Sequence, residues 1–282
     1  MHIILALLSA VFSSLTAIFG KKGLSGTDSH IATFIRTGMV LVYVWAFVFA
    51  LGLQTQIPAI PASGLLFLLL SGCATGASWL CYYKALSIGE VSRVTAVDKS
   101  SIILTMIIGM TFLGEGVTAA KLAGLVTIAA GTFLMLGKIG RGAGSAPLIY
   151  AALSAVFAAL TSILAKIGLS GIDANLATAI RTAVVFIFAG LMLLPTGSIK
   201  KFAGIKRRDV MFLLLSALAT SLAWLCYFNA LRLGEASVIA PLDKLSTVMT
   251  IALAALVLRE KVSKRTALGA AVKTAGTVLT LF

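Results

Sequence analysis

Apolar residues run along this chain in blocks of about twenty, broken by short polar or Gly/Pro stretches, and the blocks alone predict its elements. A helix of about 20 apolar residues crosses the hydrocarbon layer of a bilayer. The first half reads as five such helices, over roughly residues 3–21, 30–51, 64–87, 92–113 and 118–137. Adding 145 to each number gives five more, so the expected fold is an all-α integral membrane protein of ten transmembrane helices. Met1–Gly20 is early and apolar enough to pass for a signal peptide, but it lacks a basic leading segment and returns as a second copy, so it reads as a helix.

The repeat is gapless at an offset of 145: Leu8-Ser9-Ala10-Val11-Phe12 recurs as Leu153-Ser154-Ala155-Val156-Phe157. Ile35-Arg36-Thr37 becomes Ile180-Arg181-Thr182, and Trp79-Leu80-Cys81-Tyr82 becomes Trp224-Leu225-Cys226-Tyr227. Asp98-Lys99 falls on Asp243-Lys244, Glu115 on Glu260, Gly124 on Gly269 and Gly131 on Gly276. The expected organisation is a first five-helix repeat over residues 1–140, a linker over 141–147 and a second repeat over 148–282. Five is odd, so the second copy enters the membrane from the opposite side, and counting alone predicts inverted repeats related by an axis in the membrane plane.

Charge tests that model, because cytoplasmic loops concentrate Lys and Arg. Of the 23 basic residues, fifteen fall in the loops joining helices 1–2, 3–4, 5–6, 7–8 and 9–10, while the opposite face carries only Lys121, Lys166 and Arg232. Both termini are therefore expected outside the cytoplasm, in a bacterial or archaeal inner membrane.

Composition narrows the function. The chain of 282 residues is 60% hydrophobic and 11% charged, with a mean hydropathy of +1.07; most of that apolar surface has to face lipid. The net charge of +14 then reads as a basic membrane edge, not as a nucleic-acid surface. Cys73, Cys81 and Cys226 lie inside apolar runs without metal spacing, and the only histidines are His2 and His30. No phosphate loop, zinc spacing or Ser/His/Asp set appears, so neither a cofactor nor enzymatic chemistry is expected.

Ionisable residues within the spans are the candidate site, since each costs at least a few kcal/mol among acyl chains. Ser100 to Leu113 spans only about 21 Å as helix, so the fourth helix has to begin earlier and include Asp98 and Lys99; the same holds for Asp243 and Lys244, with Pro241 breaking the turn ahead of them. Neighbours on a helix point about 100° apart, so each Asp and Lys is expected to have a partner of its own. Two readings stay open: a cavity in which lysines hold an anionic group and aspartates an ammonium or a coupling proton, and a structural ion-pair network with Arg36 and Arg181. Trp79 with Tyr82, and Trp224 with Tyr227, sit three residues apart on one helical face, as cavity lining or as packing. Glu115 and Glu260 read as solvated turn residues beside Thr118 and Ser263, which cap the helices that follow.

The duplication, the five-helix unit, Phe112-Leu113-Gly114-Glu115-Gly116-Val117-Thr118 and the stretch from Gly124 to Gly131 together resemble the EamA branch of the drug/metabolite transporter superfamily. The resemblance covers essentially the whole chain, and Arg259 departs from its glycine in the second copy. It implies a central cavity between inverted halves and export or exchange of amino acids or other small metabolites without ATP hydrolysis. Ten-helix relatives are generally drawn with both termini in the cytoplasm, opposite to the charge count here; fusion of two copies of a half-length ancestor that inserts either way would account for the difference.

The leading expectation is thus a secondary transporter of an amino-acid or amine-like solute, with the small molecule, membrane lipid and protons as its partners. The alternatives are a lipid-linked carrier flippase and a non-transporting structural subunit. A closed duplication suggests a sufficient monomer, with a dimer as the other possibility.

Overall fold

The computed structural model describes residues 1–23, 29–88, 94, 97–98, 100–136, 145–194, 206–257 and 263–282. Lys99 and Glu260 lie outside them. In lipid every backbone polar group has to be satisfied within the chain, and the apolar blocks accordingly form helices with no strand among the described residues.

The helices are α1 (His2–Gly23), α2 (Ser29–Ala50), α3 (Ala62–Ile88), α4 (Ser101–Phe112) and α5 (Ala119–Leu136) in the first half. In the second they are α6 (Ser145–Gly168), α7 (Ala174–Leu193), α8 (Arg207–Leu233), α9 (Ala236–Asp243), α10 (Ser246–Val257) and α11 (Lys264–Leu279). Helical residues at 94 and 97–98 precede α4, as its shortness requires. α6 starts at Ser145, so the last residues of the expected linker are helical. A short 3-10 segment, Leu53–Ala59 with Pro58 inside it, joins α2 to α3. Among the described residues seven helices are long and apolar enough to cross a membrane, one of them the composite Ala236–Val257, and two shorter apolar helices accompany them.

Polarity is arranged inside out. Phe112, Leu256, Val126 and Val42 are more than 60% exposed, whereas Ser71, Ser154, Ser216 and Thr182 are fully buried; such a surface is stable when hydrocarbon covers it. The buried hydroxyls return bonds to carbonyls one turn back, as from Thr178 to Ala174 at 2.6 Å and from Thr182 to Thr178 at 2.7 Å, or bridge neighbouring helices.

The principal packing partners are α3 with α6, α1 with α8, α2 with α7 and α5 with α11. Each pair joins the two halves, and contacts along each run in opposite residue order. Ser71 donates to the carbonyl of Thr161 and Ser78 to that of Ser154 (2.5 and 3.0 Å); Gly38 faces Phe186 while Gly190 faces Phe34. On α5 and α11, Gly124 meets Gly276 and Gly131 meets Gly269, so close that a Cβ on Gly131 would stand 2.8 Å from the Gly269 carbonyl oxygen. Small residues at such a crossing let backbones approach where lipid supplies no hydrophobic drive between helices. The pairs α2–α7 and α5–α11 each join equivalent helices, and both run antiparallel.

Candidate functional site

Between the halves lie two adjoining cavities of about 350 and 330 Å3, sharing Arg36, Ser78, Trp79, Ala158 and Lys244. The first is lined by matched positions from both halves: Thr16 with Thr161, Arg36 with Arg181, Thr75 with Thr220, and Trp79 with Trp224. Tyr227, Asp243 and Lys244 complete it, while Tyr82, Asp98 and Lys273 line the second. Of the ten residues expected at a site, all but Lys99, which lies outside the described residues, are thus brought to one region.

Arg181 is placed by α7, whose first turn is capped by Asp173: the carboxylate accepts from the backbone N–H groups of Asn175 and Leu176 at 2.9 and 3.4 Å. Eight residues beyond that cap, the Arg181 Nε donates to Ser71 at 2.9 Å and an Nη to Thr75 at 3.2 Å. Its guanidinium carbon lies 4.1 Å from the centroid of the Phe228 ring, a cation–π contact.

Asp243 ends α9. Pro241 lies inside it, and the chain turns at Lys244 before α10 begins. This corrects the expectation of separate partners: at the C-terminal end of α9 the Lys244 Nζ donates back to Asp243 Oδ2 at 3.2 Å. Ser9 on α1 donates to the other oxygen at 2.6 Å. On the opposite side Ser154, the match of Ser9, donates to Asp98 at 2.7 Å. Each half therefore supplies the hydroxyl that holds the other half's aspartate.

Sequence reasoning overlooked these serines, although both stand inside a repeated phrase of five identical residues. It left Lys273 open; the side chain is buried, lines the second cavity with Asp98, and its Nζ lies 3.4 Å from the Thr247 hydroxyl. Its match, Ile128, is also buried, so this charge belongs to one half only. Tyr227 shares a 2.8 Å hydrogen bond with Ser162, whose match is Ala17.

A third cavity of about 550 Å3 lies near the end of the bundle that holds the chain termini, lined by Glu115, Lys166, Arg232 and Glu235 among others. Here the expectation of a solvated glutamate fails. Glu115 is buried and accepts from the N–H groups of Ala236 and Ser237 at 2.5 and 2.8 Å, capping α9 of the other half. Gly114, at φ +65, turns the chain back under α4, and Gly109 leaves room, since a Cβ there would lie 2.8 Å from the carboxylate. Thr118 and Ser263 do cap the helices that follow them, α5 and α11, by accepting from Lys121 N–H and Thr266 N–H.

A family model of EamA-like transporters matches the chain twice, over residues 1–137 and 145–282. The chain belongs to the EamA-like transporter family. With its long apolar helices, this EamA protein is a multi-pass transmembrane transporter of the drug/metabolite type. A relative from Sinorhizobium sp, described as an uncharacterized transporter in cobO 3'region, is 46% identical over 130 residues, which are 46% of this chain and 92% of that relative. That relative is therefore about as long as one half of this EamA chain. A crystal structure described only as that of a protein superposes with a TM-score of 0.81 at 15% identity, over 99% of this chain and 96% of its own; the likeness is one of fold.

Proposed function

We propose that this protein is a secondary transporter that moves a small charged metabolite, of the size of an amino acid, across a bacterial or archaeal cytoplasmic membrane by alternating access, as an exporter or exchanger. Two inverted five-helix repeats, residues 1–140 and 148–282 joined over 141–147, cross the membrane ten times in all. They rock against each other about the central cavity, with a single chain sufficient and protons as the coupling ion.

The observation that carries this reading is the matched lining of the cavity: Arg36 with Arg181, Thr75 with Thr220 and Trp79 with Trp224 face one space from opposite halves. Matched helices meeting antiparallel are what a two-fold axis in the membrane plane produces. A polar cavity on that axis can be presented to either side by exchanging the conformations of the halves.

Orientation follows from charge. The three cations on the sparse face are engaged locally: Lys121 with Glu235, Lys166 with the Leu231 carbonyl at 2.6 Å, and Arg232 with Asp173 at 3.6 Å. They serve helix ends there, which leaves the opposite, lysine- and arginine-rich face to the cytoplasm and both termini outside.

The test is counterflow in proteoliposomes with a panel of radiolabelled amino acids, organic acids and amines, comparing wild type with Asp98→Asn and Asp243→Asn. Substrate-dependent uptake that falls at least tenfold in either folded variant supports the proposal. No uptake of any compound under imposed gradients, or uptake indifferent to both substitutions, defeats it.

A further inference from the structure

Arg181 is only 3% exposed yet lines the first cavity. Its two hydrogen bonds go to the neutral hydroxyls of Ser71 and Thr75, leaving three of the five guanidinium N–H donors. Among the described residues no carboxylate pairs with it. The one carboxylate in the same cavity, Asp243, is held by Lys244 and Ser9. A buried charge without a counter-charge is costly, and a transport site is where that cost is relieved by what enters.

The charge of the whole lining points the same way. Across both cavities the described residues set Arg36, Arg181, Lys244 and Lys273 against Asp98 and Asp243, four positive groups and two negative, for a formal excess of +2. A zwitterion needs an uncommitted carboxylate for its ammonium. Asp243 has Lys244, and Asp98 shares its cavity with the Lys273 ammonium.

We infer that the solute is a small soluble organic anion, a carboxylate or phosphate monoester without a compensating amine. Its acid group seats on the free edge of Arg181, where a planar fork matches two oxygens, and its remainder lies against Trp224 and Tyr227. This deepens the transport reading and narrows an amino-acid or amine-like solute to an anion. The class of acid group is set by Arg181, while the size of the solute is set by the cavity.

The experiment is thermal stabilisation of the purified full chain with succinate, glycerol 3-phosphate, their neutral counterparts succinamide and glycerol, serine, and putrescine, followed by counterflow in proteoliposomes. Succinate or glycerol 3-phosphate is expected to stabilise the wild type, and the neutral counterparts are not. Arg181→Met should weaken the anion at least tenfold while folding as well as wild type without ligand, because it removes an uncompensated charge. Should that variant fail to fold, Arg181→Lys decides: loss of the fork predicts at least tenfold weaker binding, and unchanged affinity overturns the inference. Stabilisation by serine or putrescine without the anions also overturns it, as does stabilisation by phosphatidylglycerol micelles alone, which would make the anion a lipid. Serine counterflow would leave transport standing and sink the anion; anion binding without counterflow would do the reverse.

Discussion

Ser9 and Asp243 stand 234 residues apart and meet through a 2.6 Å hydrogen bond that ties α1 to the break between α9 and α10. The same bond recurs in mirror fashion at 2.7 Å between Ser154 and Asp98. Each aspartate is thereby held across the interface between halves, where any rocking of one half on the other has to act.

Removing Asp243 alone leaves the Lys244 ammonium in the cavity without its carboxylate partner, while removing both members leaves no charge to compensate. Asp243→Asn is expected to lower the unfolding midpoint by more than the double variant Asp243→Asn with Lys244→Met. The coupling in a double-mutant cycle should fall in the range of about 0.5–3 kcal/mol typical of contacting pairs. Chemical unfolding in detergent micelles reads it, and a coupling near zero would show that the 3.2 Å contact is energetically idle.

Glycine 131 is held to its identity by the approach of α11. Gly131→Leu should destabilise by at least ~2 kcal/mol, in the range of overpacked interiors, since its Cβ alone would stand 2.5 Å from the backbone nitrogen of Lys273. Gly116→Leu, with nothing within 4 Å of its added Cβ, serves as the control. Equal stability of the two variants would contradict the close crossing.

The Glu115 carboxylate accepts two backbone N–H groups of α9 from the other half. Hydrogen bonds to a charged group contribute about 1.5–3 kcal/mol each, so Glu115→Ala is expected to cost more than Glu115→Gln, which keeps one acceptor. Trypsin sensitivity after Lys121 and Arg232 should rise in the same order. A fully stable Glu115→Ala protein would place the carboxylate in water.

Topology is checked at the last residue. Alkaline phosphatase fused after Phe282 is expected to be active and a fluorescent protein fused there dark, as the proposed orientation requires. Replacing Lys206, Arg207 and Arg208 with glutamine should weaken that preference, because the cluster supplies part of the basic bias; a bright fluorescent fusion on the unaltered chain would reverse the assignment.

Much of this molecule is legible in one dimension. Several apolar blocks anticipate helices to within a few residues, as with 64–87 against Ala62–Ile88 for α3, because a bilayer sets element length directly; the block expected at 237–258 divides instead into α9 and α10. The offset of 145 likewise brings out Arg36, Arg181, Asp98 and Asp243 as matched charges in apolar surroundings.

What sequence by itself determined is thus the all-helical apolar character of the chain, its duplication and the types of residue that lipid cannot accommodate. Only the tertiary structure decided the partners. Lys244 turns to its own neighbour where α9 ends at Asp243, and Ser9 reaches Asp243 because α1 packs on the second half. Glu115 is buried because Gly114 bends the chain beneath α4, and Arg181 is left among hydroxyls because Ser71 and Thr75 are what α3 presents to it. Pattern reports which face of a helix is polar; the atom that meets it depends on how helices distant in sequence cross, and hydropathy carries no record of that.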